Sequence, residues 1–238
     1  MKFAIVIFLL SLILIAGCSE RKTQIPVRQA NEDCKFLYER KVEGDATSQP
    51  QIGKQDHIVI FFSAQSTRII GYNHNFAVFA KVRSDKAEEA VTISWMPKSM
   101  NKTRGLSEPG INLDIPTTLA WAKANNAIVE RHGPYYITET LYARAKAQVE
   151  KLHDGTVQFK LLDQNMRPDI ATNSVHAISD ITCNGDKFDK FLIQTGTGRD
   201  ASAVLKVYFE REGFLDGKYK NDRDLAKQFD IVGIRRLD

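Results

Sequence analysis

The stretch "HIVIFFSA" (57–64) limits what this chain can fold into more than any other. β-Branched and aromatic side chains dominate it. They pack well on a pleated surface, and a short continuous run of them reads as a buried strand. "NFAVFAKV" (75–82) and "AVTISW" (90–95) repeat the signal. Only short turns separate the three runs, so an antiparallel sheet is expected. Helical periodicity comes later. "IPTTLAWAKANNAIVERHG" (115–133) has Pro116 placed to open a helix and Gly133 placed to close one. "ITETLYARAKAQVEKLHDG" (137–155) puts Leu141, Ala145, Val149 and Leu152 on one face, with Gly155 as terminator. "TVQFKLLD" (156–163) alternates like a strand, and "RDASAVLKVYFER" (199–211) reads as a helix with Asp200 as its N-cap. "FDIVGIRRLD" (229–238) holds a last short strand. Strands first and helices later predict an α+β fold, an antiparallel sheet packed with helices.

The first 17 residues read as a leader (1–17), removed rather than folded. Lys2 gives a positive start, Phe3 to Ala16 is apolar apart from Ser11, and Ile15-Ala16-Gly17-Cys18 closes the run. A helix that crosses a bilayer needs about 20 apolar residues, whereas an export signal needs fewer. Cysteine directly after Ala-Gly looks like a bacterial lipobox. In that motif the Cys18 thiol takes a diacylglyceryl group and becomes the mature N-terminus. Two acyl chains anchor a protein stably where one does not, so the expected partner is a membrane. Ser19, in place of an aspartate, points to the outer membrane facing the periplasm if the cell is Gram-negative. Residues 18–31 are polar and read as a tether. "EGDATSQPQIGKQD" (43–56) has the composition of a loop. Residues 32–238 then suit a single α+β domain, long enough for a real core.

Net charge is +4, of which Lys2 accounts for one, and no five like charges run together. Basic and acidic residues are interleaved as on a solvated surface, which argues against a nucleic-acid partner. Three cysteines are present; with Cys18 lipidated, Cys34 and Cys183 remain as an even pair. In an exported protein they are candidates for a disulfide, and two free thiols stay equally open.

Chemistry has few places to reside. The five histidines are His57, His74, His132, His153 and His176, and none forms an HxH or HExxH pair. No metal site or cofactor motif is therefore expected. His132 and His153 each sit beside a glycine that would end a helix, where imidazole meets the negative end of the dipole. His57 opens a strand and reads as a strand-edge residue. His74 stands in a Gly/Asn-rich turn just before an apolar strand, a position from which a base can face a cleft. "QTGTGR" (194–199) lacks the phosphate-loop patterns and reads as a turn. Ser174, in "ATNSVHAISDI" (171–181), has two readings: an N-cap, or a nucleophile at a helix start.

Five stretches bear on that choice: "YNHNFAVFAKV", "TISWMPKSM", "GINLDIPTTLAWA", "GPYYITETLYARAKAQVEKL" and "NSVHAISDI". Their order resembles that of circularly permuted, papain-like cysteine peptidase relatives, grouped with NlpC-type peptidases and their acyltransferase cousins. The likeness spans roughly residues 57–210. It implies a permuted papain-like fold with His74 as the base and Ser174 at the position of the nucleophilic cysteine. His176 matches a structural histidine. Thr92 and Ser94, on the strand after His74, are the candidate groups to orient the imidazole. The departure is chemical. A thiol of pKa about 8.5 can give up its proton to imidazole before attack, and a serine hydroxyl cannot. Cys34, flanked by Glu32 and Asp33, and Cys183 fit a bridge better than a nucleophile.

The expectation is thus a membrane-anchored lipoprotein of the cell envelope with an NlpC-like, papain-like fold. Its activity is that of a degenerate or weak amide or ester hydrolase or acyltransferase, on envelope peptides such as those of peptidoglycan or on lipids. The alternative is a binding or structural envelope lipoprotein without turnover.

Overall fold

The structure, a computed structural model, describes residues 56–66, 73–100, 107–161, 171–182 and 198–238. The leader, Cys18, the tether, Cys34, Cys183, nearly all of the loop at 43–56 and most of "QTGTGR" lie outside them.

Strand β1 (Asp56–Ser66) is the hub of the molecule. It pairs antiparallel with β2 (Asn73–Arg83) on one side and β6 (Ala127–Ile137) on the other. β3 (Lys86–Ile93) extends the sheet beyond β2, and β9 (Arg235–Arg236) closes the far edge, parallel to β6. The β2–β3 hairpin turns on Ser84 and Asp85, both at positive φ (48° and 65°), the two-residue geometry that matches strand twist. A second sheet runs β4 (Trp95–Pro97), β5 (Glu108–Asn112), β7 (Gln158–Phe159) and β8 (Ala171–Thr172), its last pair parallel.

The helices are α1 (Ile115–Ala124), α2 (Glu139–His153), α3 (Ser174–Ser179), α4 (Gly198–Arg211) and α5 (Asp222–Gln228). Asp114 caps α1 by accepting from the Thr117 amide, and Thr138 caps α2 by accepting from Leu141. The helices cover both faces of the five-stranded sheet. Val59, Phe61, Ala77 and Phe79 pack with α2, α3 and α4. Ile58, Ile60, Phe62, Phe76 and Val78 pack on the other face with α1 and α5. Because β1 is buried on both faces, its apolar run is continuous instead of alternating.

The α+β class is observed, with these departures from expectation. Residues 127–133 are not helical: α1 stops at Ala124, Asn126 takes positive φ (50°), and "AIVERHGPYYI" becomes β6. Pairing with the second edge of β1 outweighs the local helical pattern. Gly133 does have positive φ (88°), as a helix terminator would, but it serves a bulge in β6 facing β1. His132 is therefore a buried strand residue opposite Phe61, not a helix end. His57 lies in a central strand rather than at an edge, 5.0 Å from the Tyr142 ring. The sheets are mixed, because β9 and β8 join in parallel. "TVQFKLLD" supplies only a two-residue strand, and "AVTISW" breaks at Ser94. Asp200 lies inside α4 rather than capping it. Among the described residues no helix is long and apolar enough to cross a membrane.

After the break at Ser94, Trp95 packs closely against Gly110 of β5. A Cβ at Gly110 would lie 1.9 Å from the indole Cζ2, so only glycine permits the contact. Gly110→Ala is expected to displace the indole and lower the unfolding free energy by about 1–3 kcal/mol, read in a urea melt.

Candidate active site

His74 is the second residue of β2, and the two-residue period of a strand puts it on the same face as Phe76 and Val78. Its ring stacks on Phe76 (5.7 Å) and meets the edge of Trp121 from α1 (5.6 Å). Only 4% of the residue is exposed. Its Nε2 lies 2.8 Å from Ser94 Oγ, Thr118 Oγ1 lies 2.8 Å from that same oxygen, and Thr118 Oγ1 lies 2.7 Å from the Asp114 carbonyl.

Those three contacts determine the direction of the chain. The Asp114 carbonyl can only accept, so Thr118 spends its one hydroxyl proton there. Ser94 then donates to Thr118, and His74 Nε2–H donates to Ser94. This order gives each of the three contacts its own proton, whereas the reverse order would make the single Thr118 proton serve both Ser94 Oγ and the Asp114 carbonyl. The imidazole is thereby held as the Nε2–H tautomer, with Nδ1 left as the basic nitrogen. Asn112 fixes the middle of the chain. Its Oδ1 accepts from the Ser94 amide (2.8 Å) and its Nδ2 donates to the Thr92 carbonyl (2.8 Å). Leu113 N donates to the Ser94 carbonyl (3.1 Å). Burial pushes the His74 pKa down to about 3, so the ring is neutral across the physiological range.

Ser174 is the first residue of α3, and it is not the cap. Asn173 is: its Oδ1 accepts from Val175 N (3.0 Å) and His176 N (2.9 Å). The capping reading of Ser174 is corrected, and its hydroxyl is released from that role. The segment is held from both ends. Trp95 Nε1 donates to the Thr172 carbonyl (3.1 Å), two residues before Ser174. From α2, Gln148 Nε2 donates to the Ala177 carbonyl (3.0 Å) and Arg144 Nε to the Ile181 carbonyl (2.5 Å).

His74 and Ser174, a hundred positions apart, line one pocket of about 50 Å³. With Asn73 they are its polar lining among the described residues, and the other described side chains that line it are apolar. Of the two candidate orienting groups, Ser94 bonds His74 and Thr92 does not. Thr92 pairs with Val78, further along the sheet, and gives only its carbonyl to Asn112. His176 is buried in α3, and His153 is exposed at the end of α2. Neither lines the pocket. Sequence reasoning missed Thr118, Asn112 and Asn173. Asn173 had a local signal, since it is as good a cap as the serine beside it. Thr118 had none, because nothing in a helical threonine announces a hydroxyl chain to a distant histidine. Among the described residues no group of three or more His, Cys, Asp or Glu side chains is placed to hold a metal ion.

Comparison with protein-family models, curated proteins and solved structures finds no match to this chain.

The lowered His74 pKa makes stability depend on pH. Between pH 6.5 and about 3 the unfolded chain binds a proton at this residue and the folded chain does not. Stability from this site is full above pH 6.5 and falls on acidification, by about 1 kcal/mol per pH unit. His57, also lowered by burial, acts in the same direction. Urea melts at pH 7, 6 and 5 should therefore show a shallower acid loss for His74→Gln than for the wild type, the difference isolating His74.

Proposed function

We propose that this chain is an exported, lipid-anchored envelope protein on a permuted papain-like frame. Its pocket carries a serine–histidine acyl-transfer site of low activity, an amide or ester hydrolase or acyltransferase. The observation that supports this best is the shared pocket: a serine relieved of capping and an imidazole held in one tautomer, with its basic nitrogen free. In the reaction, Ser174 Oγ attacks the carbonyl carbon while His74 Nδ1 takes the hydroxyl proton. The leaving alcohol or amine regains that proton as its bond to carbon breaks. Water then releases the acyl group from Oγ, with His74 again as base.

Two features argue for a slow rate. Asn173 Oδ1 already occupies the Val175 and His176 amides, which removes two donors that could otherwise have faced an oxyanion. A missing oxyanion donor costs about 10²–10³ in rate. The chain behind His74 ends on a carbonyl, not a carboxylate, so the transient imidazolium gains little support. These same features favour a second reading, a pocket that binds an acyl compound without turning it over.

Labelling of the full chain in detergent distinguishes the two. Ser174→Cys should react with an iodoacetamide probe several-fold faster than Cys34 or Cys183, and His74→Ala should remove that advantage. Labelling of wild-type Ser174 by a fluorophosphonate marks a working enzyme. Failure of both probes at position 174 overturns the site. The anchor is tested separately. Cys18→Ala should move the protein from the membrane fraction to the soluble fraction, and continued membrane association would overturn lipidation at Cys18.

A further inference from the structure

We infer that the group this pocket receives is an uncharged, apolar acyl group, the acid half of a short- or medium-chain ester or N-acyl amide, and not a charged envelope peptide. The inference rests on the acyl-transfer reading for its chemistry, but the walls of the pocket argue for it independently. Trp95, Met96, Met100, Trp121, Phe159 and Leu161 form them. Among the described residues no Lys, Arg, Asp or Glu lines the pocket. Against these walls a peptide bearing carboxylates would shed their hydration onto apolar surface, a cost of several kcal/mol per charge. An acyl group makes no such demand. Its carbonyl meets the polar lining of Ser174 and His74, and its chain lies against indole, phenyl and thioether surface, where burial is favourable.

The shape of the pocket refines the class. Trp121 touches both the His74 ring and the pocket, so the first carbons beyond the carbonyl meet an aromatic wall. Met96 is buried, whereas Met100 is 38% exposed. Unbranched thioethers adapt to different ligand shapes, and a partly exposed one suits the mouth of the pocket. The volume is small, about 50 Å³, room for only a few heavy atoms, so a butyryl group nearly fills it and the carbons of a longer chain run out past the partly exposed Met100. The reaction is the one given above with the acyl group specified. The Oγ–acyl bond forms as the ester C–O bond breaks, and water then yields the free acid, with no other reactant needed.

The test pairs a binding measurement with turnover, using the full chain at fixed detergent concentration. Octanamide, an uncharged mimic that resists cleavage, is titrated against intrinsic tryptophan fluorescence. A γ-glutamyl dipeptide is titrated in parallel, and p-nitrophenyl acetate, butyrate, octanoate and palmitate are assayed for hydrolysis. The expected result is a fluorescence change that saturates with octanamide and not with the dipeptide, and faster hydrolysis of butyrate or octanoate than of acetate or palmitate. Met100→Glu, at an exposed position that folding tolerates, should weaken octanamide binding by about tenfold or more. Tighter binding of the dipeptide, or no response to octanamide, overturns the apolar acyl group. Saturable octanamide binding without turnover of any ester, in wild type and Ser174→Ala alike, supports the apolar occupant and overturns the acyl-transfer reading.

Discussion

The site depends on two neighbouring residues that face opposite ways. Ser94 and Trp95 sit where β3 ends and β4 begins. Successive side chains along an extended chain point to opposite faces, so this one step in the backbone serves both layers of the protein. Ser94 reaches His74 on the α1 side. Trp95 packs in the core on the α2–α4 side and bonds the Thr172 carbonyl just ahead of Ser174. A base carried on one layer and a hydroxyl carried on the other are thus brought to the same end of the sheet. Asn112 holds the step in place through the Ser94 amide and the Thr92 carbonyl, and Gly110 leaves space for the indole.

The electrostatics follow from the same arrangement. The group behind His74 is a chain of hydroxyls running to the end of a backbone carbonyl, and every member is neutral. Such a chain can select a tautomer and an orientation, but it cannot offset a positive charge on the ring. With burial as the only large influence, the imidazole stays neutral far below its usual pKa. The neutrality of the base and the absence of charged side chains from the pocket walls among the described residues go together. The described walls of the cleft are mainly apolar, and that suits carbon chains better than ions.

A cluster of ion pairs lies at the β6–β9 edge of the same sheet. Arg131 of β6 makes a two-pronged ion pair with Asp222 (2.9 and 2.7 Å), and Arg236 of β9 adds to the same carboxylate (3.4 Å). Tyr135 donates to Asp238, whose other oxygen accepts from the Gly133 amide (3.1 Å). These contacts tie the C-terminal residues to β6 and fix the parallel register of β9. Removing one partner would leave a buried guanidinium uncompensated, so the cluster specifies geometry more than it adds stability.

Local pattern alone determined much of the framework. The apolar runs of β1 and β2, the amphipathic face of α2 and the extent of α4 are set by side-chain shape and period, which act within a few residues and can be read without coordinates. His74, expected in the turn before the strand, is instead its second residue, because pairing with Ala64 of β1 extends β2 back to Asn73. What lay beyond local pattern was decided by pairing across the chain. Residues 127–133 carry helical features but are claimed by the open edge of β1, and Ser174 and Asn173 are equally good caps until packing gives the role to Asn173. The choice of Ser94 over Thr92, and the recruitment of Thr118, depend on distances between segments 20 and more residues apart. Sequence dictates what each segment favours by itself; only the tertiary structure settles which segments meet, because the energies that decide it arise from contacts no single segment contains.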